Sequence, residues 1–269
     1  MGKVSHRLIA PISHARYLLV VPVYDPGESF FRFLPELCGV LGQSASRFRI
    51  QVVDDGCDES VASRITRFVE DLDAPGVKVS PVLPLAANSG KGAAVYTGWR
   101  TGVGESWYGF VDCDGSVPAA EVLRLALLAE EVGESTVVLA SRQPAPNRML
   151  KRRTHRHLLG RCFAAAVRLG IGLDVHDTQC GLKWVPATGF RNVAQILSES
   201  RFAFDVDLLA TMKRSGYRLR EESISWADTE HSTVRLWRDI PAMAASLLRL
   251  TFKFRFRSAS PVGSSPKSG

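Results

Sequence analysis

The sequence predicts an α/β fold, a mostly parallel sheet flanked by helices in a single domain, followed by a C-terminal amphipathic segment. Three observations predict it. Short apolar runs of strand length alternate four times with helical patterns before residue 141, as in successive strand–helix units. Those runs are apolar throughout, as in strands buried on both faces. Three of them stop on polar residues, Tyr24-Asp25, Asp54-Asp55-Gly56 and Asp112-Cys113-Asp114, and ligands of such sheets bind beyond the carboxyl ends of the strands.

The elements follow in order. Residues 1–15 read as a loose basic leader, and "RYLLVVPVY" (16–24) is a buried strand ending at Pro and Tyr. "GESFFRFLPELCGVLG" has helical spacing, with Pro35 expected to kink it. "FRIQVVDDG" (48–56) is a second strand, "ESVASRITRFVEDL" a helix, and "VKVSPVL" (77–83) a strand. "GKGAAVYTGWRTGV" is a loop entering a helix, with Asn88 or Ser89 as its cap. "WYGFVDCDG" is the next strand, and "VPAAEVLRLALLAEEVG" a helix with Ser116 as cap and Pro118 in its first turn. "STVVLAS" is a further strand, and "RFAFDVDLLATMKRSGY" (201–217) a helix opening near Asp205 and closing at Gly216. Residues 258–269, rich in Ser, Pro and Gly, read as a disordered tail.

Composition bounds the function classes. The 269 residues, 45% hydrophobic, suit one large α/β domain or two small ones. The formal charge of +7, from 34 basic and 27 acidic residues, favours phosphates, anionic lipid or nucleic acid as partners. Five cysteines with no Cys-x-x-Cys pair argue against a disulfide framework or a zinc site and fit a reducing compartment. No secretory signal pattern and no apolar stretch of spanning length occurs in the sequence.

"FVDCDGSVP" (110–118) raises the sharpest question, because it ends an apolar run on two carboxylates one residue apart. Asp114-Gly115 is an ordinary turn signal, and Asp112 a strand end reaching water, on the plainest reading. On an extended strand, however, Asp112 and Asp114 point to the same side, roughly 7 Å apart at the root. Such a pair suits a hard divalent ion, Mg²⁺ or Mn²⁺, that would neutralise a diphosphate leaving group. "NSGKGAA" (88–94) supplies glycines, a helix N-terminus and the Lys91 charge for an anion, without Walker spacing. "SRQPAPNRMLKRRTHRH" (141–157) is the most basic stretch, either a phosphate-binding loop or a solvated face before a helix. It has no interleaved aromatics or recognition motif, so no nucleic-acid partner is expected. Asp177 and Gln179 precede a glycine beside an apolar run, and Asp205 opens a helix where a purely structural dipole role is equally open.

Together these segments resemble family-two glycosyltransferases of the GT-A (Rossmann-like) fold. "VVPVYDPGE", "VVDDG", "NSGKGAAVYTG" and "DCD" stand in that family's order and spacing. The second half, with "SR", "RRTHRHLLG", "DTQCGLK", "FAFDVDLL" and "SISWADTEHS", looks most like the dolichyl-phosphate β-glucosyltransferases and bacterial polyprenyl-phosphate relatives. The resemblance implies a GT-A domain over 16–233 and a metal-dependent, inverting hexose transfer from an NDP-sugar to a polyprenyl or dolichyl phosphate. UDP-glucose would be the donor, by likeness to those relatives. It also implies that Pro22, Tyr24, Glu28, Asp54, Asp55, Lys91 and Asp112 line the nucleotide, while Asp112 and Asp114 hold ribose and metal. Arg142, Arg152, Arg156 and Ser232 would face the acceptor phosphate, with Asp177 and Gln179 near the donor sugar and acceptor. This chain departs from the pattern where His231 replaces a glycine, where Thr233 replaces a lysine that Arg235 would have to stand in for, and in "YDPGES".

A phosphate acceptor is already ionised near neutral pH and needs no strong base. Two other readings stay open at this point. A hydroxyl acceptor would need Asp177 or Asp205 as base, and a sugar-nucleotide-binding module could have lost catalysis. Residues 234–257 form an amphipathic basic-aromatic segment, with Trp237, Ile240, Ala244, Leu247 and Leu248 at helical spacing from about Asp239. Phe252, Phe254 and Phe256 then alternate with Lys253, Arg255 and Arg257. The segment is expected either to pack on the core or to anchor the protein on an anionic membrane surface. On the second reading the enzyme is cytoplasmic and peripheral on the cytoplasmic membrane face, and deleting 250–269 weakens vesicle binding.

Overall fold

The structure, a computed structural model, describes residues 16–45, 47–146, 149–151, 154–227 and 236–256. The leader, Arg148, Arg152, Arg153, residues 228–235 and the tail lie outside the described residues. The side chains of 150–151, 154–162, 236–241 and 256 do too, so Arg156, Trp237, Ile240 and Phe256 carry no side-chain account.

The chain runs β1 (Tyr17–Val23), α1 (Glu28–Gly42), β2 (Phe48–Asp54), α2 (Glu59–Glu70), β3 (Val77–Val79), β4 (Leu83–Pro84), α3 (Lys91–Arg100), β5 (Trp107–Val111) and α4 (Ala119–Val132). It continues through β6 (Thr136–Ser141), β7 (Leu150–Lys151), α5 (Thr154–Ile171), β8 (Leu182–Pro186), α6 (Ala187–Val193), α7 (Phe204–Arg214), β9 (Arg218–Ser223), β10 (Trp226–Ala227) and α8 (Leu236–Phe256). The main sheet has the order β3-β2-β1-β5-β8-β6-β9, with β4 also on β2, and β10 pairs with β7 in a separate ribbon.

β1 explains why its sequence is apolar without a break. Tyr17, Leu19, Val21 and Val23 face a core built with α1, α2 and α4. Leu18 and Val20 face a second core built with α3, α5, α6, α7 and α8. Successive side chains point to opposite faces, so a strand covered on both sides needs an apolar residue at every position.

Register then brings the polar strand ends together. β1 runs parallel to β2 with Val23 opposite Asp54, and parallel to β5 with Val20 opposite Phe110. Asp54 and Asp112 therefore emerge at one edge beside Tyr24. β8 is antiparallel to both neighbours, with Leu182 opposite Val111. Its entry loop, residues 177–181, consequently arrives at that same edge. A parallel β8 would have delivered the loop to the other end of the sheet.

Several local expectations change. Pro118 itself stands at the N-cap of α4 without a side-chain cap, and the Ser116 amide instead donates to Asp114 Oδ1 at 2.9 Å. Gly90, not Asn88 or Ser89, is the N-cap of α3, since the Ser89 hydroxyl donates to the Ala87 carbonyl. The run 77–83 splits into β3 and β4. Helix α1 continues through Pro35. Helix α8 begins at Leu236 and stays helical through Phe256, so its phenylalanines do not share one side as an extended strand would have them. Leu250 and Phe254 enter the second core, while Leu248 (73% exposed) and Phe252 (65%) face outward.

Candidate active site

The carboxyl edge of β1, β2 and β5 presents Tyr24, Asp54, Asp55, Asp112 and Asp114. Asp112 is anchored by its own amide, which donates to the Gly181 carbonyl at 2.9 Å. Gly181 is required there: a Cβ would overlap Asp112 Oδ2. Lys91 Nζ lies 2.5 Å from Asp112 Oδ1, with the two side chains 33% and 28% exposed. Burial works to lower the Lys91 pKa, but Asp112, and then Asp205, raise it above its ordinary value. Asp112 and Asp114 offer an all-oxygen donor set that fits a hard divalent ion. No group of three or more His, Cys, Asp or Glu converges among the described residues, so phosphate or water oxygens would have to complete the coordination.

The two acids that end β2 organise the neighbouring loops. Asp54 Oδ1 accepts the Cys57 amide at 2.9 Å. Asp55 accepts the Ser89 amide at 2.8 Å and the Gly90 amide at 2.9 Å, which pins the glycine-rich entry of α3 against the strand end. Burial raises the Asp55 carboxyl, and those two amides act against it. Gly56, at φ +78°, turns the chain where a side chain would strike Ala87 and Asn88. Tyr24 is half exposed over this edge, and Pro22 is buried within β1. Glu28 turns instead to α2, 2.8 Å from Arg64.

Next to this edge stands a second charged arrangement. Arg142, just past β6, donates to Asp177 from Nε to Oδ2 and from Nη2 to Oδ1, both at 2.7 Å, and its amide adds a bond of 2.9 Å. Its guanidinium lies 4.9 Å from the Trp226 ring centroid. Burial pulls the Arg142 pKa down, but Asp177 outweighs it and the group is held firmly cationic. Glu221 on β9 braces the loop, accepting the His176 amide at 3.0 Å and the Asp177 amide at 2.8 Å. Ser141 Oγ, Thr178 Oγ1 and Gln179 Nε2, on the two segments this fork joins, are buried without a hydrogen-bond partner among the described residues. Buried polar atoms in native proteins are nearly always paired, so these three atoms are an exception on the two segments that the fork joins.

Beneath both arrangements lies a buried ion pair. Lys183 on β8 is 0% exposed and contacts Asp205 on α7, itself 3% exposed, at 2.6 Å. Lys183 also donates to the Cys180 carbonyl at 2.8 Å. Burial raises the Asp205 carboxyl, with Lys183 and then Lys91 opposing it.

The sequence-derived residues Tyr24, Asp54, Asp55, Lys91, Asp112, Asp114, Arg142, Asp177 and Gln179 thus gather at one sheet edge. Arg152 and Ser232 lie outside the described residues. Lys183, Glu221 and Trp226 were missed as contributors. A lysine amid apolar residues in "CGLKWV" was the available signal for the first, and period-two spacing gave none for the others. The described cysteines are free; burial pushes Cys57 and Cys180 up to about 12, so they are protonated near neutrality.

An α/β sheet with carboxylates, a lysine and an arginine fork at its carboxyl edge defines the class of fold that binds anionic ligands at that edge. Residues 19–192 match the profile of Glycosyl transferase family 2, and the chain belongs to that family. It is 24% identical over 253 residues to a dolichyl-phosphate beta-glucosyltransferase of Dictyostelium discoideum, covering 91% of this chain and 76% of that one. It is 29% identical over 224 residues to the Drosophila melanogaster protein of the same name, covering 80% and 68%. In structure it resembles glucosyl-3-phosphoglycerate synthase from Mycobacterium tuberculosis in complex with Mg²⁺ and UDP (TM-score 0.61, 15% identity, 91% of this chain and 81% of that one). It also resembles the mannosyltransferase PcManGT from Pyrobaculum calidifontis in complex with GDP-Man and Mn²⁺ (TM-score 0.57, 16% identity, 93% and 66%). These likenesses establish the GT-A fold.

Proposed function

We propose that this chain is an inverting hexosyltransferase that moves glucose from UDP-glucose to a polyprenyl or dolichyl phosphate. One observation favours a phosphate acceptor over a hydroxyl: neither candidate base is free. Asp177 is engaged by three donors of Arg142, and Asp205 is buried against Lys183. A hydroxyl acceptor needs a base within reach; a phosphate oxygen, already ionised, does not.

The residues divide the work accordingly. Tyr24, Pro22, Asp54 and Asp55 border the nucleotide, Asp55 by holding the 88–90 loop. Asp112 and Asp114 would hold Mg²⁺ or Mn²⁺, which when bound supplies Lewis-acid stabilisation to the diphosphate leaving group. Lys91 adds a positive charge on that side. Arg142, stacked on Trp226 and fixed by Asp177, presents its remaining donors to the acceptor phosphate. Arg152, Arg156 and Ser232 belong to the same acceptor reading by motif. Gln179 belongs near the donor sugar and acceptor by motif. Catalysis here is positioning and charge stabilisation.

No helix among the described residues is long and apolar enough to cross a membrane. We assign contact with a lipid acceptor to an anionic membrane surface on the cytoplasmic face, met by the outward residues of α8. The test pairs radiolabelled UDP-glucose with polyprenyl phosphate or with the matching polyprenol, in Mn²⁺ or EDTA, and counts labelled lipid. Labelled product only from the phosphate, lost in EDTA and in Asp112→Ala, is the expected result. Transfer to the alcohol alone refutes the acceptor assignment, and full activity of folded Asp112→Ala refutes the metal pair.

A further inference from the structure

We propose that Lys91 is an internal cation that occupies the metal face of Asp112 until a nucleoside diphosphate draws it away, so that divalent metal binds well only with the donor. The inference rests on the reading of Asp112 and Asp114 as the metal pair. Its basis is geometric. Lys91 Nζ stands 2.5 Å from Asp112 Oδ1, in direct ion contact. The other oxygen, Oδ2, faces the gap left by Gly181, where even a methyl group would overlap it. The ammonium therefore holds the approach to Oδ1, while Gly181 packs against Oδ2. A divalent ion and an ammonium cannot share that approach, since like charges at contact repel strongly in a half-buried site.

The surroundings suit a lysine with two positions. Its stem is flexible and ends in a compact charge. Nζ lies 4.9 Å from the Phe110 ring centroid and 5.8 Å from that of Phe204, so aromatic faces also attract the cation where it stands. Its backbone is fixed, because it opens α3 directly after the Ser89 and Gly90 amides held by Asp55. Only the side chain is left to move. Asp205, paired with Lys183 at 2.6 Å, also favours the charged form of Lys91 and helps keep the ammonium in the site when Asp112 is taken by metal. Charges then alternate from the core outward as Lys183, Asp205, Lys91 and Asp112. A diphosphate brings both a new partner for Lys91 and oxygens for the metal, so the two events occur together. Metal without donor is disfavoured.

The test is Mn²⁺ binding to the purified full chain, read by the electron paramagnetic resonance signal of free Mn²⁺, with and without saturating UDP. Without UDP, Lys91→Met is expected to bind Mn²⁺ about tenfold more tightly than the wild type, the loss of one half-buried ion pair. Lys91→Arg, which keeps a cation, stays at the wild-type value. With UDP, the Lys91→Met gain disappears or reverses, because the diphosphate has lost its lysine. A general structural defect would move both affinities in one direction. Lys91→Gln gives the same reading should the methionine variant fail to fold. Equal Mn²⁺ affinity of the wild type and the folded neutral variants without UDP overturns the inference while leaving the metal pair intact. Mn²⁺ binding with UDP that is unaffected by Asp112→Asn overturns both.

Discussion

Lys183→Met isolates the buried pair, and its cost can be worked from the structure. Lys183 is 0% exposed, and its ion contact with Asp205 is 2.6 Å long. The substitution conserves volume in the β8 layer, so packing contributes little. It leaves Asp205 charged, buried and without its cation. Breaking one partner of such a pair costs about 3–5 kcal/mol. For a chain of this size each kcal/mol shifts the melting temperature by about 2–4 °C, which gives a loss of about 6–20 °C. Replacing both partners, as Lys183→Met with Asp205→Leu, removes the orphan charge and is expected to recover most of that loss. The pH dependence has a definite sign. Burial raises the Asp205 carboxyl above its ordinary value. The folded state therefore holds this proton more tightly than the unfolded chain, and the group's contribution is complete below the ordinary carboxylate value and lost as pH rises through the raised one. Without Lys183 the carboxyl rises further, so the variant's deficit must shrink on acidification and widen toward neutrality. Melting curves of both variants at several pH values provide the assay. A single variant that melts within about 2 °C of the wild type at neutral pH would refute the buried-charge argument.

Arg142→Lys replaces a fork by a point charge and can keep only part of the Asp177 contact. The KM for polyprenyl phosphate should rise about tenfold, with the donor KM little changed, in steady-state assays. Asp55→Ala releases the Ser89 and Gly90 amides and loosens the entry of α3. Donor binding by calorimetry should weaken by about tenfold, since the buried Gly90 amide left unpaired costs about 1–3 kcal/mol.

The fold was legible because its signal is dense. A strand such as β1, covered by two cores, must be apolar at every position, and the polar residues that stop β1, β2 and β5 mark one edge. β8 and β9 escaped for the opposite reason. Lys183 is the second residue of β8, and a charged residue in a strand pattern reads as surface; Asp205, supplied by a distant helix, and the Cys180 carbonyl make its burial tolerable. β9 holds one apolar residue, Leu219, among five polar or charged ones, and reads equally well as a solvated turn. Asp112, Asp114 and Lys91 stood out through local motifs. Glu221 and Trp226 serve the site only through register, β9 lying parallel to β6 with Ser223 opposite Ser141, and no local pattern encodes a register. The cap of α4 was misread because Asp114 takes the Ser116 amide within its own turn, which leaves Pro118 to open the helix.

Helix α7 explains why the C-terminal helix cannot be treated as a detachable anchor. Asp205 and Asp207 are two residues apart, so at about 100° per residue they point to nearly opposite sides of the helix. Asp205 faces Lys183 and the catalytic edge. Asp207, 0% exposed, faces α8 and accepts from Lys253 at 2.6 Å. It also accepts the Ser198 and Glu199 amides at 2.6 and 3.0 Å. Arg249 adds a 3.0 Å contact to Glu199, and Leu250 and Phe254 fill the second core beneath. Deleting residues 250–269 would therefore remove core side chains and strand a buried carboxylate, at a cost of about 3–5 kcal/mol for the broken pair alone. A loss of lipid activity in that truncation would say nothing about membranes. The outward face is separable: Leu248 and Phe252 are exposed, and Arg255 on the same helix donates to the carbonyl of the exposed Leu169. The double substitution Leu248→Asp and Phe252→Asp should leave the melting temperature within a few degrees, since exposed positions contribute little to stability. It should weaken sedimentation with anionic vesicles and lower activity on long-chain polyprenyl phosphate, while transfer to a short, soluble isoprenyl phosphate persists. Unchanged vesicle binding in the folded double variant would place the lipid contact elsewhere on the protein.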